Sequence, residues 1–520
     1  MILTCSYERV IFPLFLSMGV IGKQSIRASI FIYIGFAFGA LNSLVLFQNK
    51  NFFSLDQFGL TKVLVDVSLL IAMLCTLGTY PAIVKFYPFY SSYLPKKKND
   101  FPFLTLVAAG MGCLLFLVLT PFFKDLIIRK FGQRSPLFVQ QFNLVYPLTV
   151  SMTMLYLFEA YSWAVKRTVL PAIARELIVR VLTTILILFV MAGLLNFQQF
   201  INLFSLIYVP PVLFILILLV KKGDFVFHVS ISSVTRRLGK RIVIFSLFLF
   251  SGQVLNILAR TLDSIIITSQ SKNGLADTGL FTIATYFVAL MEVPVRGMTG
   301  IAFSILAQAW KDNDRPKVFS IYKKTALNLS IAGFGMLGIL VLSIPDIISI
   351  LGPQYQLMMD IVLILGISKL IDLGTGLNSH LLLTSKHWKI EFFSNILLVI
   401  MAGIFNYILV NKFGVVGSAW ATLIVFTFYN FIRFLLIWYF FRMQPFGINN
   451  LKLLLIGGIA FCLGRFILSF ESPYLDIVFK SAIFCLVYIV AVVKLRISED
   501  VNAVVKGLQN KIQSLYKRSW

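Results

Sequence analysis

At 520 residues, with 59% hydrophobic and only 13% charged residues and a mean hydropathy of +0.90, the chain is far too apolar for a soluble globular protein, in which about a quarter of residues are charged. Its apolar runs are continuous and helix-length rather than alternating ten-residue segments, which excludes a transmembrane barrel and leaves an all-α integral membrane protein. The formal net charge of +25 does not indicate nucleic acid as a partner, because the basic residues alternate with apolar spans and the aromatic residues are mostly phenylalanines inside those spans.

Runs of about 20 apolar residues predict helices over 24–46, 60–84, 101–122, 139–163, 171–195 and 198–220, then 241–268, 279–306, 325–351, 357–383, 390–410 and 415–441, and finally 450–470 and 474–495. The fold class expected is therefore about 14 transmembrane helices in two pseudo-repeated six-helix lobes plus two C-terminal helices. The N-lobe covers 24–220 and the C-lobe 241–441, with a basic cytoplasmic linker over 221–240 and the last two helices over 450–495. Residues 1–23 form a short cytoplasmic N-terminus, and 496–520 a basic cytoplasmic tail whose apolar spacing fits either a helix lying on the membrane surface or a solvated end. The apolar run 11–21 is too short to span, and initiation at Met18 would leave 1–17 without a native role.

Internal repetition supports two related lobes. VMAGLLN at 190–196 returns as IMAGIFN at 400–406, and DQFGL at 56–60 is echoed by DTGL at 277–280. In an apolar chain such self-similarity suggests a transporter built of two bundles with the substrate path between them.

The distribution of basic residues tests the helix count. With both termini cytoplasmic, most of the 46 lysines and arginines fall in inside segments, including Lys96, Lys97 and Lys98, Lys166 and Arg167, and the linker, as the positive-inside rule requires. The exception is 122–137, which carries Lys124, Arg129, Lys130 and Arg134 on the outer side.

Several ionisable residues lie inside the spans: Asp66, Glu159, Glu176, Arg180, Arg260, Asp263, Glu292, Arg296, Lys369, Asp372 and Arg433. A charge at a helix centre costs about 2.5–3.5 kcal/mol, so these groups must be paired or hydrated. Glu176 with Arg180 and Glu292 with Arg296 are i,i+4, and Arg260 with Asp263 and Lys369 with Asp372 are i,i+3, spacings that allow pairing on one helix face. One reading is local neutralisation and nothing more. The other is a hydrated cavity in which Arg260 and Arg296, with Arg180, Lys62 and Arg27, hold an anionic substrate through forked hydrogen bonds to phosphate oxygens. Asp263, Glu292, Lys369, Asp372 and Glu176 then serve ion coupling or pairing. Pro147, Pro210-Pro211 and Pro294 would kink their helices.

No catalytic residue, metal site or cofactor is expected. The five cysteines fall singly, the three histidines have no ligand spacing, and there is no phosphate-binding Gly-rich loop, so coupling to nucleotide hydrolysis within this chain is not indicated.

DQFGLTKVL at 56–64, LGTYPA at 77–82, KFYP at 85–88, TGLFTIA at 278–284, LGPQY at 351–355 and GVVGSAWAT at 414–422 resemble the motifs of bacterial polysaccharide-biosynthesis membrane proteins of the O-antigen flippase type. MGVIGKQS at 18–25 is similar to their usual start. The resemblance implies the multidrug/oligosaccharidyl-lipid/polysaccharide exporter fold. It also implies a substrate consisting of an oligosaccharide on a polyprenyl pyrophosphate, flipped across the bacterial cytoplasmic membrane by alternating access, with a polysaccharide polymerase and glycosyltransferases as partners. It sets Arg296 in a helix where such flippases carry cavity arginines. A lipid II flippase and a cation-coupled multidrug extruder are the alternatives within the superfamily, and a membrane-embedded glycan transferase or ligase, or a scaffold for a polysaccharide assembly complex, outside it.

Overall fold

The computed structural model describes residues 20–466, 470–503 and 505–506, with the side chains of 20–27, 29, 96, 294, 296–301, 303, 304 and 388 left out of the description. The proposed start at Met18 and most of the C-terminal tail therefore lie outside the described residues, which are helical and contain no strand.

Contacts divide the chain into two compact units. The first comprises Met1–Ser269 and Asn273–Gly279, and the second Gln270–Lys272 and Leu280–Trp520. The division falls across residues 270–280.

The helices of the first unit are α1 (Val20–Leu41), α2 (Leu55–Cys75), α3 (Thr79–Tyr93), α4 (Phe101–Phe131), α5 (Val145–Ala164), α6 (Val179–Met191), α7 (Phe197–Phe204), α8 (Val209–Lys221) and α9 (Ser233–Gln270). Next comes α10 (Gly274–Ala289), which begins in the first unit and continues in the second. The second unit holds α11 (Val293–Lys311), α12 (Arg315–Leu351), α13 (Met358–Gly374), α14 (Asn378–Thr384), α15 (Trp388–Phe413), α16 (Val415–Phe441), α17 (Ile448–Phe466) and α18 (Pro473–Lys494).

Ten helices among the described residues are long and apolar enough to cross a membrane, and the four other expected spans are helical too but mostly interrupted. The first passes into a π-helical segment, Asn42–Leu46, and the fifth is opened by another, Ala172–Ile178. The tenth is split between α13 and α14. Each interruption sits at polar residues, where the wider turn or the break frees groups for bonding to neighbours.

Other differences have equally local causes. The expected span 60–84 is two helices, because Leu77 and Gly78 both adopt positive φ, 47° and 81°. The helix expected over 101–122 runs on to Phe131, since Phe122, Phe123, Leu126, Ile127 and Ile128 continue its apolar pattern through Pro121; Lys124, Arg129 and Lys130 thus lie on a helix and not in a loop. The end of the expected linker, from Ser233 onward, forms about the first two turns of the 38-residue α9. Pro210 and Pro211 open α8, and Pro147 lies in the first turn of α5, positions that need no kink because the missing N–H is already unsatisfied there. VMAGLLN ends a helix, with Gly193 at φ 73°, whereas IMAGIFN lies within α15.

The core of the first unit is aromatic: Tyr90 stacks on Phe101 with centroids 4.5 Å apart, and Phe225 of the linker seats edge-on against Tyr161 at 5.1 Å. Cys75 and Cys113, isolated in sequence, are buried free thiols. In the second unit Phe484 and Tyr488 of α18 stack at 5.5 Å in a cluster with Ile331, Leu342, Leu453 and Ile456. The described start of the tail docks there, since Val501 packs against the cluster and Asp500 accepts a hydrogen bond from Asn328 at 2.7 Å.

Candidate functional site

Two polar networks lie inside the apolar helices, one in each unit. Lys62 and Asp66 of the first unit, one turn apart on α2, form an ion pair of 2.8 Å. Asp66 is buried and also accepts a hydrogen bond from the Ser264 hydroxyl of α9. Glu159 of α5 is buried and pairs with Arg175 at 2.8 Å, whose guanidinium lies 4.8 Å above the Tyr156 ring. Tyr80 stands edge-on to the same ring, with centroids 6.1 Å apart.

The expected Glu176–Arg180 pair forms at 2.7 Å. It sits where the Ala172–Ile178 segment passes into α6 and is held against α1: the Asn42 side-chain amide nitrogen donates to the Arg180 main-chain carbonyl at 3.0 Å, and the Thr184 hydroxyl donates to the Asn42 side-chain amide oxygen at 2.7 Å. Gly35 and Gly39 make this approach possible. A methyl group on Gly35 would overlap the Glu176 main chain, and one on Gly39 the Arg180 side chain.

Arg260 of α9 is exposed and forms no ion pair among the described residues, so the expected pairing with Asp263 is not made. The two positions lie about 60° apart around a helix, and Asp263 turns to the half-buried side. The Arg27 side chain lies outside the described residues.

In the second unit Lys369 of α13 is the hub. It pairs with Glu292 at 2.7 Å and with Asp372 at 3.2 Å. The Glu292–Lys369 pair was not expected, because the two residues lie on different helices far apart in the chain, and the Arg296 side chain lies outside the described residues. Asp372 accepts from the Asn430 amide at 3.2 Å, and Asn430 accepts from Thr375 at 3.0 Å and from Asn378 at 2.9 Å. Beyond it, Arg433 of α16 and Glu391 of α15 form a fully buried ion pair, with Ser379 donating to the same carboxylate at 2.7 Å and Arg433 lying 3.9 Å over Tyr429.

Sequence reasoning missed Arg175 and Glu391 as site residues. The available signal was the buried acid Glu159 and the buried cation Arg433, each needing an opposite charge from another helix because none stands within a turn of it.

These networks can hold a charged group at membrane depth. In the first unit Lys62, Arg175 and Arg180 are matched by Asp66, Glu159 and Glu176, while Arg260 forms no ion pair among the described residues.

No family model matches the chain, and no curated protein matches it in sequence. Solved structures do match in fold. "Lipid II flippase MurJ, inward closed conformation" superposes with a TM-score of 0.70 at 14% identity, covering 90% of this chain and 98% of that one. A multidrug resistance MATE family transporter of the MOP superfamily, in an inward-facing conformation, gives 0.58 at 18% identity, covering 83% and 96%. An outward-facing conformation of a MATE family transporter gives 0.53 at 17% identity, covering 80% and 95%. The chain has the fold of these transporters, an all-α membrane architecture.

Proposed function

We propose that the chain is a flippase of the MOP superfamily that moves a lipid-linked, pyrophosphate-bearing oligosaccharide across the bacterial cytoplasmic membrane by alternating access, with both termini cytoplasmic and without chemical change to the substrate. The observation that carries this reading is Arg260. It stands ten residues from the end of α9, about 15 Å along the helix and so near the middle of a hydrocarbon layer about 30 Å thick, without an ion pair among the described residues. A lone cation at that depth is stable only beside water or an anion, and a guanidinium suits phosphate oxygens by its forked donors. The extended likeness to a lipid II flippase supports the reading at the level of fold.

Lys62, Arg180, Arg27 and Arg296 complete the proposed headgroup-binding set, and Asp263, Glu292, Lys369, Asp372 and Glu176 the coupling or pairing set. An exporter of cationic drugs needs an acidic binding surface, and Arg260, exposed and without an ion pair among the described residues, argues against one. The second reading, a flippase for lipid II itself, is favoured by the likeness over 90% of this chain; both substrates present the same pyrophosphate to Arg260.

The test is translocation in proteoliposomes, using a fluorescent polyprenyl-pyrophosphate oligosaccharide and fluorescent lipid II in parallel, with quenching of the exposed label as readout. Transport of the first and not the second supports the oligosaccharide; the converse supports lipid II. Unchanged rates for both lipids in Arg260→Ala would remove the basis of the proposal.

A further inference from the structure

The basic residues of 122–137, which break the positive-inside pattern, find a place once α4 is seen to extend to Phe131. Counting back from Lys130 in steps of three and four residues gives Ile127, Phe123, Leu119 and Leu115 on one helix face. These four residues, with Leu74 of α2 and Phe250 of α9, line a groove of about 460 Å³ whose wall is apolar except for the Thr120 hydroxyl. That hydroxyl donates to the Phe116 carbonyl at 2.7 Å and so offers nothing to a ligand. Gly112 gives the groove its depth, since a methyl group there would overlap the Cys75 main chain.

We propose that this groove binds one anionic glycerophospholipid of the surrounding bilayer, an acyl chain lying along α4 and the phosphate resting on Lys130, with Arg129 and Lys124 beside it. All three cations are exposed and form no ion pair among the described residues. Charge selects the headgroup: an anion gains about 1 kcal/mol per neighbouring lysine or arginine at a membrane surface, and a zwitterion gains little. Length selects a phospholipid over a longer polyprenyl lipid. From Ile127 to Leu115 the groove runs about 18 Å, close to the depth of one hydrocarbon leaflet, about 15 Å. In the orientation expected from the basic residues this lipid belongs to the outer leaflet, where the positive charge of α4 otherwise has no role. The inference is independent of what the protein transports.

The experiment is native mass spectrometry of the full-length protein titrated with phosphatidylglycerol, phosphatidylcholine or a polyprenyl phosphate. Phosphatidylglycerol is expected to bind in preference to the other two. Arg129→Ala/Lys130→Ala should weaken its binding roughly 25-fold, at about five-fold per cation, and Leu119→Trp should weaken it by filling the groove. Leu117→Trp, on the opposite face of α4 and also exposed, should bind as the parent does. Equal binding of phosphatidylglycerol to the parent and to both the charge and the groove variants overturns the site. Preferential binding of the polyprenyl phosphate, lost in Leu119→Trp, also overturns the proposal and assigns the groove to a different lipid.

Discussion

Gly59 and Gly279 pack against each other where α2 crosses the start of α10: a methyl group on Gly59 would overlap the Leu275 carbonyl, and one on Gly279 would press on the Leu55 carbonyl. The two glycines belong to the echoed motifs at 56–60 and 277–280, so the halves of this repeat meet in space. Close backbone approach of this kind is how helices associate where hydrophobic burial supplies no drive. Gly59→Ala and Gly279→Ala are each expected to cost about 1–3 kcal/mol by overpacking, with the double variant costing less than the sum, since one shift relieves both. Gly110→Ala, a helical position with open space around it, should be neutral or slightly stabilising. Unfolding midpoints in detergent measure all four variants.

The Glu391–Arg433 pair should behave as a buried ion pair. Either Glu391→Ala or Arg433→Ala leaves a buried charge uncompensated and is expected to cost about 3–5 kcal/mol. The double replacement Glu391→Gln/Arg433→Met is expected to recover much of that loss, because no lone charge remains. Denaturant titration of the three proteins provides the comparison, and additive losses would refute the pairing.

Arg175 holds the charge of Glu159. Arg175→Met should strand that carboxylate among Tyr80 and Tyr156 and lower stability by about 3 kcal/mol or more, and adding Glu159→Gln should restore part of it. The same single variant removes a cation of the first unit that lies outside the proposed headgroup-binding set. Transport that stays low in the double variant after stability has recovered would separate substrate binding from structure.

Asp100 clamps the linker. Its carboxylate accepts from the Ser232 main-chain N–H at 2.8 Å and the Thr235 hydroxyl at 2.7 Å, while Arg167 pairs with Asp224 at 2.6 Å and Tyr87 donates to the Asp224 carbonyl at 2.6 Å. Asp100→Ala should free the start of α9, where Arg236 and Arg237 are already exposed. Limited trypsin digestion followed by mass spectrometry is expected to show faster cleavage there, by several-fold, with the membrane helices intact. Cleavage at the parent rate would mean that the Arg167 and Tyr87 contacts suffice.

The limits of the sequence reading are visible in single residues. Glu176 and Arg180 were legible because the pair lies within one turn, and such pairing depends on local helix geometry alone. Lys369 with Asp372 was legible for the same reason. Glu292 with Lys369, Glu159 with Arg175 and Glu391 with Arg433 were not, because each joins residues far apart in the chain, and nothing in helical periodicity says which helices become neighbours. The Arg260–Asp263 pairing failed in the other direction: correct spacing permits contact but does not require it when one side chain turns to the exposed side.

What the sequence alone determined was the environment and the segments, because a bilayer forces every spanning backbone to satisfy its own hydrogen bonds and so writes itself into the chain as apolar runs of helical length. It also revealed the repetition, since related halves keep related residues. Tertiary structure alone decided where those helices break, which charges neutralise one another and that Arg260 forms no ion pair among the described residues. Those outcomes depend on the distances between side chains of different helices, and such distances exist only once the helices have packed.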